Sequence, residues 1–251
     1  MTRKALATLW LISMLLLTAA CSRSDESGPP LSTESETTPE SSDSIQGESE
    51  AHSEEAVPVA RLEQPVEPVH YRLELKIDPR EERFSGSVSI DLKAEEAVSN
   101  IWLHGKRLEV SEAWVSDSKG NRIGAAYEQV HSSGVSNVVF DESVGPGTFT
   151  LDLHWDAAFN PRPNALFRAE RGEDAYVASQ FQPIAAREAF PGFDEPGFKV
   201  PFDITLITPA GDVAITNTPE VSEEDLGDGF TRRVFATTRP LPTYLLAFAV
   251  G

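Results

Sequence analysis

Short runs in which apolar and polar residues alternate dominate the chain from residue 64 onward, and they restrict its fold more than any other feature. Tyr71, Leu73, Leu75 and Ile77 are separated by single polar residues. This period of two predicts a strand with one buried face, because successive side chains of a strand point to opposite faces. No run after the first twenty residues keeps the longer period of an amphipathic helix. The sequence therefore predicts an all-β fold.

A second strand follows the turn signal at Asp78, with Phe84, Val88, Ile90 and Leu92 directed inward. The two strands predict an antiparallel hairpin. Further strand-like runs cover residues 100–104, 112–116, 136–140, 148–155, 202–207, 213–215 and 231–237. The continuous apolar run of residues 244–250 predicts a buried strand. We expect an antiparallel β-sandwich or saddle over residues 64–251.

The first twenty residues predict an export signal. Arg3 and Lys4 precede an apolar run over residues 5–17, which is too short to span a bilayer comfortably. Cys21 is the only cysteine of the chain, so no intramolecular disulfide can form. The residues before it resemble a lipobox, in which this thiol is acylated. The alternative is a plain secretory signal that contains a cysteine. The lipobox predicts an exported protein anchored by its lipid to a bacterial membrane, on the periplasmic or cell-surface side.

Residues 21–63 predict a disordered, acidic tether between the anchor and the folded domain. From residue 22 to residue 60 there are ten Asp or Glu and one Arg, and the net charge of the whole chain is -19. Such a segment buries too little apolar surface to fold. As a flexible coil it would span roughly 35 Å. An acidic chain lacks the charge that binds phosphate backbones, so we expect no nucleic-acid partner.

The histidines predict no metal site in this chain. None of the five has a second histidine at the spacing of a helical zinc motif. His70 and His104 adjoin strands, where surface or capped histidines are expected. There is also no Gly-rich phosphate loop and no nucleophile elbow. We therefore expect no catalytic residue and no bound metal in this chain.

One irregular segment, residues 179–196, combines glutamines, prolines, an arginine and an acidic pair. Its composition predicts a loop with a short helical turn. Arg187 can pair with Asp194 or with Glu195, while Phe190 and Phe193 would hold the loop against the core. Taken by themselves, these residues are also compatible with a simple crossover between sheets.

The same segment resembles a signature of the aminopeptidase N family of zinc metallopeptidases, in which Thr-Gln-x-Gln or Thr-Gln-x-Glu leads to Asp-Ala-Arg and then to Phe-Pro-Cys-Phe-Asp-Glu-Pro. The matching positions here are Gln180, Gln182, Ala186, Arg187, Phe190, Pro191, Phe193, Asp194, Glu195 and Pro196. The similarity extends to Lys199, residues 202–206, Asn217, residues 243–248, residues 70–71 and residues 84–86. It covers nearly the whole folded part in the family's order.

The resemblance implies a β-saddle domain that precedes a thermolysin-like catalytic domain. In the family, zinc is held by two histidines and a glutamate of that second domain, which also carries the Gly-Ala-Met-Glu-Asn motif of exopeptidases. Zinc would then be the cofactor of the parent enzyme and would be bound outside this chain. The first domain contributes a loop to the peptide site. By position, Gln180 and Gln182 are its substrate-binding residues, and Arg187, Asp194 and Glu195 hold the loop.

Two departures from the family pattern bear on function. Gly192 stands where the family often has cysteine, which predicts looser local packing. The sequence ends at Gly251, where the catalytic domain would follow, so we expect a fragment that is inactive alone. A natural short protein is the alternative. The competing function is a lipid-anchored β-sandwich that binds a ligand without catalysis.

The lipid anchor can be tested by the substitution Cys21→Ala. Without the thiol there is no acylation site, so the variant should leave the membrane fraction or keep its signal peptide. Fractionation and lipid labelling of the wild type and the variant measure this outcome. Unchanged lipid labelling in the variant would show that Cys21 is not the acylated residue.

Overall fold

The computed structural model describes residues 57–251. Nearly all of its regular structure is strand. The strands, in chain order, are β1 Val66–Lys76, β2 Arg83–Ala94, β3 Val98–His104, β4 Glu109–Ser116, β5 Arg122–Gln129, β6 Val135–Val144, β7 Gly147–Ala158, β8 Ala165–Arg171, β9 Asp174–Gln180, β10 Phe202–Pro209, β11 Ala214–Ile215, β12 Glu220–Asp225, β13 Phe230–Phe235 and β14 Ala249–Val250. Two 3₁₀ turns cover Ala186–Glu188 and Thr243–Leu245. The predicted all-β fold is confirmed.

The strands form two sheets. The large sheet has ten strands in the order β12-β13-β10-β1-β2-β7-β4-β5-β6-β3, and the small sheet has four in the order β11-β14-β9-β8. Neighbouring strands are antiparallel except β1 and β10, which are parallel. This pair differs from the antiparallel arrangement that we predicted. Parallel pairing requires a long connection, and here six strands of the large sheet and two of the small sheet intervene between β1 and β10.

The predicted alternation of β1 and β2 is confirmed by their burial. Leu73 and Leu75 of β1 and Val88 and Ile90 of β2 are all buried. Side chains of both sheets belong to one hydrophobic cluster. Burial of this apolar surface is the main force that stabilises the fold, since the chain has a single cysteine and no intramolecular disulfide.

Four strands were not predicted, and each lacks a clear alternating pattern. They are β5, β8, β9 and β12. Every residue of β12 is exposed, so its sequence carries no buried face to detect. The β8–β9 hairpin turns at Gly172, whose φ of 67° lies in the left-handed region that glycine adopts readily. The Gly172-Glu173 turn is thus the one local signal of this hairpin that the sequence carries.

The predicted buried strand over residues 244–250 is wrong in its length and in its burial. The chain makes a 3₁₀ turn at Thr243–Leu245, and only Ala249–Val250 form a strand. Leu246, Phe248 and Val250 are buried, whereas Leu245 and Ala247 are exposed. The run is continuously apolar because its outward residues are apolar as well as its inward ones.

The outer edge of β3 is closed by a side chain. The amide nitrogen of Gln64 donates to the carbonyl of Trp102 at 2.8 Å, and its amide oxygen accepts from the Trp102 N–H at 2.7 Å. One side chain thus satisfies both backbone groups that a neighbouring strand would pair. The opposite edge strand, β12, carries Glu220, Glu223 and other exposed acids.

The predicted signal peptide, Cys21 and most of the tether lie outside the described residues. Of the tether, only residues 57–63 are described, and there Leu62 is buried. Between residues 57 and 251 no helix has the length and apolar character needed to cross a bilayer.

Gly86 tests how closely the large sheet is packed. It lies opposite Leu75 on β1 and Trp155 on β7, and a Cβ at this position would approach the indole ring to 2.5 Å. Gly86→Ala should lower the free energy of unfolding by about 1–3 kcal/mol, because the indole must shift. Urea unfolding measures the change. Gly197→Ala is the matched control, since nothing lies within 4 Å of its Cβ. Equal free energies of unfolding for both variants would show that Trp155 can move aside at no measurable cost, contrary to this prediction.

Candidate functional site

The loop that resembles the family signature runs from the end of β9 to the region before β10. We call residues 180–196 the signature loop. Phe181 is buried, residues 182–184 are exposed, and the loop is largely buried again from Ala185 through the 3₁₀ turn Ala186–Glu188 to Asp194. The predicted loop with a short helical turn is therefore observed. A loop with this much buried backbone needs internal partners for its polar groups.

A buried ion pair supplies those partners. Arg187 Nε donates to Asp194 Oδ2 at 2.8 Å, and its Nη2 donates to the Asp194 carbonyl at 2.9 Å. Its Nη1 donates to the carbonyl of Ser133 at 3.0 Å. Thr243 donates its hydroxyl to the other carboxylate oxygen of Asp194. Of the two acids considered for Arg187, the structure selects Asp194, and this pair closes the loop on itself.

Glu195 has a different contact. Its Oε1 accepts from the backbone N–H of Leu62 at 2.7 Å. Leu62 is buried, so this bond fastens the segment before β1 to the end of the signature loop. Glu195 therefore contacts the incoming chain and makes no ion pair with Arg187.

Aromatic side chains join the loop to the large sheet. Phe190 and Phe193 are buried, as the sequence predicts. The backbone N–H of Phe193 donates to the hydroxyl of Tyr71 at 2.9 Å, and the indole N–H of Trp155 donates to the Ala189 carbonyl at 3.1 Å. Two buried hydrogen bonds, to side chains of β1 and β7, thus fix the loop backbone to the large sheet.

Gly192 is tightly packed, contrary to our expectation. Its N–H and carbonyl form a reciprocal pair with His104, at 2.9 and 2.8 Å. A Cβ at Gly192 would lie 3.1 Å from the ring of Tyr71. The space that a side chain would need is already filled by Tyr71, so the glycine permits close packing here.

His104, predicted as a surface or capped histidine, is buried beneath the signature loop. Its Nδ1 has no hydrogen-bond partner among residues 57–251. Burial, reinforced by the positive charge of Arg187, lowers the pKa of His104 from its usual 6.5 to about 3. The imidazole is therefore neutral at physiological pH, and it adds no charge beside Arg187.

Gln180 and Gln182 lie in the exposed part of the loop, together with Pro183 and Ile184. They flank the buried Phe181, and Gln180 is the last residue of β9, opposite Ala165 of β8. Within the described part of the chain, neither side-chain amide makes a hydrogen bond. The structure thus presents two free amides at the end of a tightly held loop. An amide offers both an acceptor oxygen and two N–H donors without net charge.

The residues of this site do not fit a zinc ion. Between residues 57 and 251, no three His, Cys, Asp or Glu side chains lie close enough together to hold a metal. The nearest titratable groups, Asp194 and Glu195, are occupied by Arg187, Thr243 and Leu62. The carboxylates of the signature loop therefore stabilise its conformation and are not arranged as metal ligands.

Comparison with known proteins identifies the family. Residues 67–245, more than half of the chain, match the family model described as the peptidase M1 N-terminal domain. The chain belongs to this family, as the resemblance to aminopeptidase N predicts.

Among curated proteins, the chain is similar to several aminopeptidases. It is 30% identical over 200 residues to endoplasmic reticulum aminopeptidase 1 of Homo sapiens, covering 76% of this chain and 21% of that protein. It is 32% identical over 196 residues to aminopeptidase 2, mitochondrial, of Saccharomyces cerevisiae, covering 74% and 20%. It is 29% identical over 205 residues to puromycin-sensitive aminopeptidase of Caenorhabditis elegans, covering 78% and 21%. The chain thus spans about a fifth of the length of these relatives.

Sequence reasoning missed the partners that support the loop from outside it. Ser133 and Thr243 bind the Arg187–Asp194 pair, and His104 pairs with Gly192. Ser133 acts through its backbone carbonyl, so no residue pattern could reveal it. The buried Tyr71 was predicted as core, but its hydroxyl bond to Phe193 follows only from the fold.

The buried His104 predicts a pH dependence of stability. The unfolded chain binds a proton below about pH 6.5, whereas the folded chain resists protonation down to about pH 3. The stability that is present above pH 6.5 is therefore lost as the pH falls toward 3, by roughly 1.4 kcal/mol per pH unit. His104→Leu should flatten the curve by this slope.

Urea unfolding at pH 7, 6, 5 and 4 measures the difference between the wild type and the variant. The comparison removes the contribution of the carboxylates, which both proteins share. His154→Leu, the same replacement at an exposed position of β7, is the control for the loss of a histidine as such. Parallel curves for the wild type and His104→Leu would show that His104 titrates normally in the folded protein.

Proposed function

We propose that this chain is the substrate-facing first domain of a zinc-dependent aminopeptidase that removes amino-terminal residues from peptides. The family match and the similarity to relatives that are all aminopeptidases support this function. The observation that carries it is the exposure of Gln180 and Gln182 at the start of a loop that is largely buried from Ala185 to Asp194. A structural crossover would have no need of two free, exposed amides at its end.

In this proposal the two glutamines bind the free amino terminus of the peptide. A protonated amine donates hydrogen bonds, and the side-chain oxygen of each amide can accept one. The backbone of both residues is held by the pairing of Gln180 with Ala165 and by the buried Phe181 between them, so little backbone entropy is lost when a peptide binds.

A neutral residue at position 182 has a chemical consequence. The family uses either glutamine or glutamate here, and Gln182 adds no negative charge opposite the ammonium group. The charge complement to the substrate must then come from a carboxylate outside residues 57–251. We assign that role to the glutamate of the exopeptidase motif.

The hydrolytic chemistry also belongs outside the described residues. Zinc, when bound in the parent enzyme, polarises the scissile carbonyl and lowers the pKa of the attacking water. We place its ligands in a separate catalytic domain, so this chain alone would bind peptides weakly and would not cleave them. What the described residues contribute is the position and orientation of the amino terminus.

The cellular setting that we propose follows from the first 63 residues. The lipid on Cys21 would hold the protein at a bacterial membrane, and the acidic segment would separate the domain from the lipid surface. The partners would then be peptides on the outer side of that membrane. No nucleic-acid partner is proposed for so acidic a chain.

The role of the glutamines can be measured by nuclear magnetic resonance on the isotope-labelled chain. A short peptide with a free amino terminus should shift the side-chain amide signals of Gln180 and Gln182, and its acetylated form should not. Replacing both glutamines by alanine should weaken binding about a hundredfold or more, since each hydrogen bond to a charged group contributes roughly 1.5–3 kcal/mol.

The conservative variant Gln182→Glu distinguishes ammonium recognition from a general change of the surface. It adds a negative charge and should strengthen binding of the free peptide at low salt, while leaving the acetylated peptide unaffected. Aminoacyl fluorogenic substrates with zinc, and with a chelator, measure catalysis by the same preparation. Equal binding of both peptides would contradict the proposed role, and chelator-sensitive cleavage would contradict the placement of the metal.

A further inference from the structure

A cavity of about 190 Å³ lies between the start of β8 and the turn that joins β3 to β4. Most of its lining is apolar, and Phe159, Ala165 and Leu166 in this lining are buried. An apolar cavity of about 150 Å³ is large enough to hold a benzene molecule. This cavity, which we call the β8 cavity, therefore has room for an apolar group of that size.

Two backbone conformations distinguish the β8 cavity from other hollows of the surface. Arg107 and Ala165 have φ angles of 61° and 56°, and they are the two non-glycine residues with positive φ among residues 57–251. Both of them line the β8 cavity. A non-glycine residue in this region costs free energy, and such residues cluster at functional sites. The fold thus keeps two unfavourable conformations around one cavity.

The turn that carries Arg107 is held firmly by hydrogen bonds. The backbone N–H of Arg107 donates to the side-chain oxygen of Gln129 at 3.0 Å. The N–H of Lys106 donates to the carbonyl of Arg187, in the signature loop, at 2.7 Å. The backbone of Arg107 is therefore fixed before a ligand binds, which lowers the entropy cost of binding.

The polar side of the β8 cavity carries an excess of positive charge. Glu188 Oε1 pairs with Lys106 Nζ at 3.2 Å, and its Oε2 pairs with Arg107 Nη2. The amide of Asn160 donates to the same Oε2 at 3.4 Å. Two cations thus share one carboxylate. On a chain with a net charge of -19, this local excess of positive charge beside an apolar cavity favours an anionic ligand.

Arg107 also has hydrogen-bond donors that are not used within the described part of the chain. Its Nη2 bonds to Glu188, whereas its Nε and Nη1 have no partner among residues 57–251. A guanidinium is a planar fork of donors that matches the two oxygens of a carboxylate. The Arg107 side chain is 64% exposed, so an incoming acid can reach these donors.

We propose that the β8 cavity binds a small organic acid, whose apolar body fills the space beside Phe159 and Leu166 and whose carboxylate bonds to Arg107. A neutral ligand would leave the positive charge unmatched, and inorganic phosphate would leave the apolar space empty. Glu188 belongs to the signature loop, so the bound acid would lie against the loop that carries the two exposed glutamines. The proposal does not depend on the proposed function, because neither zinc nor a peptide enters it.

Isothermal titration calorimetry of the purified chain at low salt, with benzoate as the probe, tests this site. Benzoate should bind with one-to-one stoichiometry, and benzamide, which has the same ring without the charge, should bind about tenfold more weakly or worse. Arg107→Gln should weaken benzoate binding about tenfold or more, because a hydrogen bond between two charged groups is lost. Arg122→Gln is the matched control, since Arg122 is 60% exposed and has its own acidic partner, Glu112. It should bind benzoate like the wild type.

A second pair of variants tests the apolar part of the site. Ala158 lines the β8 cavity and is exposed at the end of β7, so the indole of Ala158→Trp should fill the cavity without disturbing the core. This variant should lose benzoate binding. Ala169→Trp, at an exposed position of β8 that does not line the cavity, should keep it. Urea unfolding with the wild-type midpoint confirms that each variant is folded.

Several results would overturn the proposal. They are the absence of benzoate binding, equal affinities for benzoate and benzamide, and equal effects of Arg107→Gln and Arg122→Gln. Acetyl-phenylalanine presents its carboxylate as the end of a peptide chain does, and tenfold tighter binding than that of benzoate would assign the cavity to peptide carboxyl termini instead. Glutamine variants that leave peptide binding unchanged would refute the proposed function and leave the β8 cavity standing.

Discussion

The buried pair of Arg187 and Asp194 is the interaction on which the signature loop depends. Removing one partner of such a pair leaves an unpaired charge in the interior and costs about 3–5 kcal/mol. Here each nitrogen of the guanidinium and each oxygen of the carboxylate has a partner, with Ser133, Thr243 and the backbone of Asp194 completing the set. A pair bonded in this way selects one conformation of the loop among many of similar apolar burial.

Core residues of the large sheet also hold the loop in place. Trp155 and Tyr71 are core residues of β7 and β1, and each directs its one polar hydrogen-bonding group to the loop backbone. Gly86 makes room for the indole, so a glycine in the centre of a strand determines where the loop can be held. The buried half of the loop is therefore held in place by contacts that begin in the core.

Local patterns predicted those parts of the fold whose burial follows a period of two. The faces of β1 and β2 could be read in this way, whereas the burial of Phe190 and Phe193 was predicted from their large apolar side chains in an irregular, polar segment. The parallel partner of β1 could not be predicted, because the pairing of strands far apart in sequence depends on no local residue pattern. Residues 244–250 were misread since an apolar outward face has the same composition as a buried strand. The choice of Asp194 over Glu195 as the partner of Arg187 likewise needed the backbone path of the loop.

The ten-stranded sheet has two edge strands, and each is protected from pairing with another strand in a different way. Gln64 occupies the hydrogen-bonding groups of Trp102 on one border, and the acids of β12 repel a like strand at the other. This arrangement matters wherever copies of the domain are brought close together. Neighbouring copies confined to a plane collide edge to edge far more often than in solution, and a bare strand border there would seed fibrous aggregates.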